Sequence, residues 1–288
     1  EALALFGRVV SMYEELGRPD DPVLATAEFN LGAQLYVMDR WAEAQPHIDR
    51  AIAITAAANG DASAGLLPLL DFSMTNLDHL GRHADAEAAA SRMLSIAQAS
   101  FEGPHRLVGN GMAEVGYHRL RAGDIATAVA QLDAAIAMLG GLETPQELTA
   151  WRYLVLGLAA QMRWPEVATR AADAKARCAH YGAQDKWLCI EIEAIAAQAE
   201  SVIGDPGAAL ASTDALLARI AANETGRDTT ARTRIARAMA LDRLGDAKAA
   251  ATEWQLARDA MHARYGDAHR DVLRLDVQIA GRAASDHR

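Results

Sequence analysis

The chain is expected to be all-α: an α-α superhelix (solenoid) of about six helix-turn-helix repeats, with a leading half repeat and a C-terminal capping helix. Three observations predict this. The 288 residues are 51% hydrophobic but only 5% aromatic, with alanine carrying much of the apolar content. Ala is the best helix former, and its small side chain lets backbones approach. A small or apolar residue recurs at Ala2, Ala44, Ala86, Ala128, Val167, Ala209 and Ala250, at spacings of 42, 42, 42, 39, 42 and 41. Breaker-rich stretches such as "GRPDDP", "NGDASAG", "GGLETP" and "YGDAH" punctuate the chain between copies. One helical hairpin cannot bury its apolar faces alone, so such a period implies stacked neighbours that share a core.

Taken in order, residues 1–16 read as a half repeat, an amphipathic second-type helix ("EALALFGRVVSMYEEL") whose Ala2 aligns with Ala44. Full repeats follow at about 23–58, 65–100, 107–140, 146–181, 186–221 and 228–264, and a capping helix at 268–282. In the first, Leu24, Ala27, Leu31 and Leu35 lie at helical spacing, as do Trp41, Ala44, Ile48 and Ala51 in its second helix. Between the paired helices, five residues before each anchor, stand Asp39, Gly81, Gly123, Met162, Gly204 and Gly245, mostly glycine as a helix terminator. Seven after the anchors another small or apolar residue recurs: Val9, Ala51, Met93, Ala135, Ala174, Leu216 and Ala257. Some positions break the pattern. Ser73 and Arg237 stand where a core Leu belongs, and Val167 replaces the small anchor. All of 1–288 is expected to be one solenoid, the C-terminal part of a longer protein, because solenoids need capped ends and seldom begin half way through a repeat.

Composition narrows the function. A formal charge of −10 opposes general nucleic-acid binding, which requires a basic field. No apolar run approaches the ~18 residues of a membrane span. Cys178 and Cys189, eleven apart, match no disulfide framework or zinc spacing and read as two small buried thiols, with a reducing cytoplasm as the expected compartment.

Catalytic motifs are lacking: there is no phosphate-binding Gly-rich loop, Gly-x-Ser-x-Gly elbow, His-Glu-x-x-His or Cys-x-x-Cys. His79 and His83 have metal-ligand spacing but straddle the turn at Gly81, so they are expected to diverge. The arginines at 227, 232, 234, 237 and 243 are interleaved with acids and read as a mixed solvated face. No catalytic residue, metal or cofactor is expected.

The array resembles the tetratricopeptide repeat family. Leu31-Gly32, Leu35, Trp41, Ala44, Ile48 and Ala51 carry the likeness, as do Trp151, Leu154, Leu158 and Trp164 in a later copy. The period near 42 is similar to the longer kinesin-light-chain-like type found in bacterial multidomain signalling proteins, and "YGDAHRDVLR" keeps Gly266, His269 and Val272 of its inter-repeat signature but lacks the Pro. The resemblance implies that the first helix of each pair lines a concave, ligand-binding face. The groove residues it implies are Phe29, Asn30, Tyr36, Asp71, Asn110, Glu114, Tyr117 and Arg152, with Phe29 and Tyr36 also readable as fillers of helix-packing gaps. Glu191, Gln198, Arg232 and Met239 fall at matching positions further along. Lys occurs only at 175, 186 and 248, so the Lys-containing clamp of chaperone-binding relatives is absent.

The implied function is a non-catalytic scaffold or regulatory domain that binds a protein or peptide, attached to an N-terminal Ser/Thr kinase or DNA-binding domain. The alternative is a ligand- or peptide-sensing domain that changes conformation on binding. Neither nucleic acid nor membrane is an expected partner. Self-association through the terminal helices, driven by Leu3, Phe6, Val10 and Tyr13, is a further expectation.

Overall fold

The computed structural model describes residues 2–18, 20–223, 227–267 and 269–285. These form fourteen α-helices and one short 3-10 turn, and no strand among the described residues. They divide into two compact units, 1–118 and 119–288.

The first unit contains α1 (Ala2–Glu15), α2 (Pro22–Val37), α3 (Trp41–Asn59), α4 (Leu67–His79), α5 (His83–Ser100) and most of α6 (Arg106–Ala122). Pro22 opens α2, where a missing N–H costs nothing, and the Asp21 carboxylate accepts the Val23 N–H at 2.9 Å. The repeat anchors Ala44 and Ala86 are fully buried, as are Ile48 and Ala51. Gly32 shows why a small residue follows Leu31: a Cβ there would lie 2.9 Å from Ile48 Cγ1, so only glycine lets α2 approach α3 so closely.

Several buried polar groups of this unit are held by hydrogen bonds to one another. Ser73, in a Leu position, accepts from Gln45 Nε2 at 2.9 Å, and Gln45 Oε1 accepts from Asn76 Nδ2 at 2.9 Å. Asn76 also donates to the Trp41 carbonyl at 3.0 Å. A hydrogen-bonded bridge between α3 and α4 therefore replaces the missing methyl contacts. Glu28 is likewise buried, held by His47 at 2.6 Å and Arg50 at 3.1 Å.

On α1, Leu3, Phe6, Val10 and Tyr13 pack into the core that α2 shares. The large apolar side chains exposed near this end are instead Leu5, Met12 and Leu16.

The second unit runs from the end of α6 through α7 (Ile125–Gly141), α8 (Glu147–Ala160), α9 (Trp164–His180), α10 (Trp187–Ile203), α11 (Pro206–Asn223), α12 (Arg227–Arg243), α13 (Ala247–Tyr265) and α14 (Arg270–Ser285). Anchors Ala128, Val167, Ala209 and Ala250 are fully buried, so Val167 is accommodated without exposure. Helix α8 packs directly on α10, and α10 on α12, whereas among the described residues no comparable packing joins α7 to α9, α9 to α11 or α11 to α13. Helices α8, α10 and α12 therefore pack on one another in this unit.

The interhelix turns follow one rule. Asp39, Gly81, Gly123, Met162 and Gly245 all have positive φ, between 57° and 98°, the left-handed conformation that ends a helix. Gly204 departs from it with φ −108°, and its carbonyl accepts from Arg243 Nη1 at 3.1 Å.

Two sequence expectations change here. Cys178, at the end of α9, and Cys189, at the start of α10, form a disulfide with Cα atoms 6.0 Å apart. They are not separate thiols, so the support that thiols lent to a cytoplasmic location falls away. The antiparallel hairpin brings residues eleven apart together at its closed end, which linear spacing does not reveal. Arg237, the other misfit, lies on the surface of the helix pair and bonds Glu253 and Asp214.

Candidate functional site

Successive repeats place one equivalent position on their first helix at Asn30, Asp71, Asn110, Arg152, Glu191 and Arg232, separated by 41, 39, 42, 39 and 41 residues. In the second unit these positions form a charged network on α8, α10 and α12. Nε of Arg152 on α8 donates to Oε2 of Glu191 on α10, and Nε of Arg232 on α12 donates to Oε1 of the same carboxylate. Glu191 is 1% exposed. Burial alone would raise its pKa, but the two guanidiniums outweigh that and hold it below the ordinary glutamate value.

Asp271, at the start of α14, reaches Nη2 of Arg121 at 3.4 Å. Burial pushes the Asp271 carboxyl up, while Arg121, Arg232, His269 and Arg274 together draw it lower than a free aspartate. Residues 121, 152, 191, 232 and 271 thus converge from five helices.

Trp187 opens α10 one turn before Glu191, so both lie on one helix face. Its ring is 50% exposed, and the Arg152 guanidinium carbon sits 4.8 Å from the ring centroid. An indole half in water, with its neighbouring cation already fixed by a buried carboxylate, is an ordered and accessible contact surface. Trp and Arg are the residue types that dominate binding hot spots.

The first unit differs. Phe29 and Tyr36 on α2 meet Phe72 on α4 with ring centroids 5.3 and 5.0 Å apart. The Tyr36 hydroxyl pairs with His79 Nε2 at 2.9 Å, and His79 stacks on Trp41 at 4.6 Å. These half-buried rings tie α2 to α4, which agrees with the gap-filling reading of Phe29 and Tyr36. Tyr117 and Glu114 on α6 are buried at 8% and 7% exposure. Asn30 and Asn110 are half-buried and Asp71 is exposed. Desolvation nudges the Asp71 pKa upward against the pull of Arg106, an effect that its contact with water limits.

The chain has structural relatives throughout this architecture. The Rap protein complexed with competence and sporulation factor superposes with a TM-score of 0.65 at 12% identity, covering 97% of this chain and 86% of that one. A tetratricopeptide repeat protein from Parabacteroides merdae gives 0.60 at 13% identity, covering 95% and 97%. A putative kinesin light chain repeat protein from Podosopora anserina gives 0.56 at 15% identity, covering 71% and 98%. This is a tetratricopeptide-like repeat fold. No family model matches the sequence, and no curated protein sequence is similar to it.

In a tetratricopeptide-like array the first helices of the pairs are the even-numbered ones here, so the charged row lies on that wall. Trp187, Arg121 and Asp271 are the residues around this network that sequence reasoning missed. Trp187 reads as an ordinary helix start, and nothing in a linear pattern joins residues 150 apart. The Arg-rich stretch of α12 is a mixed face: Arg234 and Arg237 bond Glu253, and Arg243 donates to the Ser201 and Gly204 carbonyls. The Arg227 side chain lies outside the described residues.

His79 and His83 bond different partners, His79 Nε2 the Tyr36 hydroxyl and His83 Nδ1 the Asp78 carboxylate at 2.8 Å. Among the described residues no group of three His, Cys, Asp or Glu could hold a metal, and no helix is long and apolar enough to cross a membrane.

Proposed function

We propose that this protein is a non-catalytic scaffold whose even-numbered helices receive a partner peptide or protein segment. The observation that carries the reading is the pairing of half-exposed Trp187 with Arg152, which Glu191 fixes from below. In the first unit, the equivalent positions Asn30, Asp71 and Asn110 carry solvent-reachable amide and carboxylate groups, suited to pairing with a peptide backbone. Phe29 and Tyr36 share α2 with Asn30, and Glu114 and Tyr117 share α6 with Asn110. The kinesin-light-chain-like type, the single continuous solenoid, and an attached kinase or DNA-binding domain that the occupied wall would regulate all belong to this proposal.

The network also favours a second reading, in which the domain senses a peptide. Asp271 on the last helix bonds Arg121 near the start of the unit, so a ligand inserted on that wall would compete with a contact that ties its two ends. The Rap protein, with a similar fold, has competence and sporulation factor as its bound partner.

A random peptide library displayed on phage, selected on the immobilised protein, tests the scaffold reading. Enriched peptides should lose binding to Trp187→Ala and keep it for Arg170→Ala, whose partner Asp133 lies on an odd-numbered helix. Peptides that bind both variants equally, or no enrichment at all, would overturn it.

A further inference from the structure

A second cleft, of 430 Å³, opens in the second unit among α10, α12, α13 and α14, away from the row around Trp187. Val202 and Met239 supply apolar wall, Gln278 a polar edge, and Asp242, Trp254 and Arg282 the far side. Those last three side chains form a complete arginine-binding arrangement. The two terminal nitrogens of Arg282 each meet a different oxygen of Asp242, a fork-to-fork pairing. The Arg282 guanidinium carbon lies 5.4 Å from the Trp254 ring centroid. Trp254 Nε1 donates to Asp242 Oδ2 at 3.1 Å, which fixes the plane of the carboxylate.

We propose that this cleft is an arginine-recognition site, filled in the present state by the chain's own Arg282. Its elements match guanidinium rather than cations in general: a bidentate carboxylate, an aromatic face for the planar group, and an apolar wall for the methylene stem. A lysine ammonium would gain the charge but not the fork or the stacking. The occupant can exchange, because the Arg282 and Asp242 side chains are 28% and 19% exposed. Arg282 also stands near the end of α14, beyond Val272 and Leu275, the fully buried side chains that anchor that helix. The overall charge of −10 favours encounter with a cationic segment. The ligand is therefore an arginine-bearing peptide segment of a partner, which would displace Arg282 and release the end of α14.

The test uses N-acetyl-arginine N-methylamide and its lysine counterpart as probes. The readout is the indole N–H resonance of Trp254, identified by its loss in Trp254→Phe. In Arg282→Gln the arginine probe should shift that resonance saturably, with the lysine probe about tenfold weaker. The wild type should respond at higher probe concentration, since Arg282 competes. Asp242→Asn combined with Arg282→Gln should not respond. If circular dichroism shows that Arg282→Gln has lost helix, Arg282→Lys replaces it, and its affinity should fall between wild type and the open site. An unshifted resonance in the opened variant, equal response to both probes, or an undiminished response without Asp242 would overturn the proposal. None of these outcomes depends on the wall around Trp187.

Discussion

Arg152 serves two neighbours at once: its guanidinium lies over the Trp187 ring at 4.8 Å, and its Nε reaches the buried Glu191 carboxylate. The two contacts differ in energy because they differ in exposure. The Trp187 side is half in water, where a cation–π contact contributes about 0.5–1 kcal/mol. The Glu191 side is buried, and neutralising that carboxylate removes the charge to which both arginines donate. Glu191→Gln is expected to cost about 3–5 kcal/mol, and Trp187→Ala about 1 kcal/mol or less. Urea unfolding of each variant checks the ranking.

Acid should weaken the second unit through the same carboxylates. Glu191 and Asp271 both titrate below their ordinary values in the folded chain, so the folded state binds protons less readily than the unfolded one. Their stabilisation is complete above the unfolded values and is lost as pH falls through the folded ones. Thermal midpoints measured from neutral pH down to about 3 should fall, and fall less steeply in Glu191→Gln.

The disulfide closes a short loop between α9 and α10. Replacing Cys178 and Cys189 by serine together should lower stability by about 2–3 kcal/mol. The intact mass without reductant should be lighter than the reduced mass by two hydrogen atoms, and two free thiols under oxidising conditions would contradict the pairing.

Met162 has φ 57° and is 70% exposed, holding a conformation that glycine occupies in three other turns. Met162→Gly relieves that strain and should raise stability by about 0.5–1 kcal/mol. Gly157→Ala should do the reverse, because its Cβ would meet Leu120 Cδ1 at 2.4 Å between closely packed α8 and α6. Calorimetric midpoints moving in opposite directions check the pair.

Much of this was legible in the sequence because it depends on repetition. The buried anchors Ala44, Ala86, Ala128, Val167, Ala209 and Ala250 follow from a period, and so do the equivalent first-helix positions Asn30, Asp71, Asn110, Arg152, Glu191 and Arg232. What single positions do with their freedom was not legible. Phe29 and Tyr36 share α2 with Asn30, yet their rings turn toward Phe72 and His79, a choice made by neighbours 43 residues on. Ser73 and Arg237 looked like faults until Gln45 and Glu253 were placed beside them. Trp187, Arg121 and Asp271 acquire meaning only once the fold brings them to the charged network.

The central claim is that a partner segment lies along the even-numbered helices. It is tested most directly by giving a phage-selected peptide a photoactivatable residue, irradiating its complex, and mapping the adducts by mass spectrometry. The account predicts adducts on α8, α10 and α12, concentrated around Trp187 and lost with Trp187→Ala. Adducts confined to α7, α9 and α11 would contradict it.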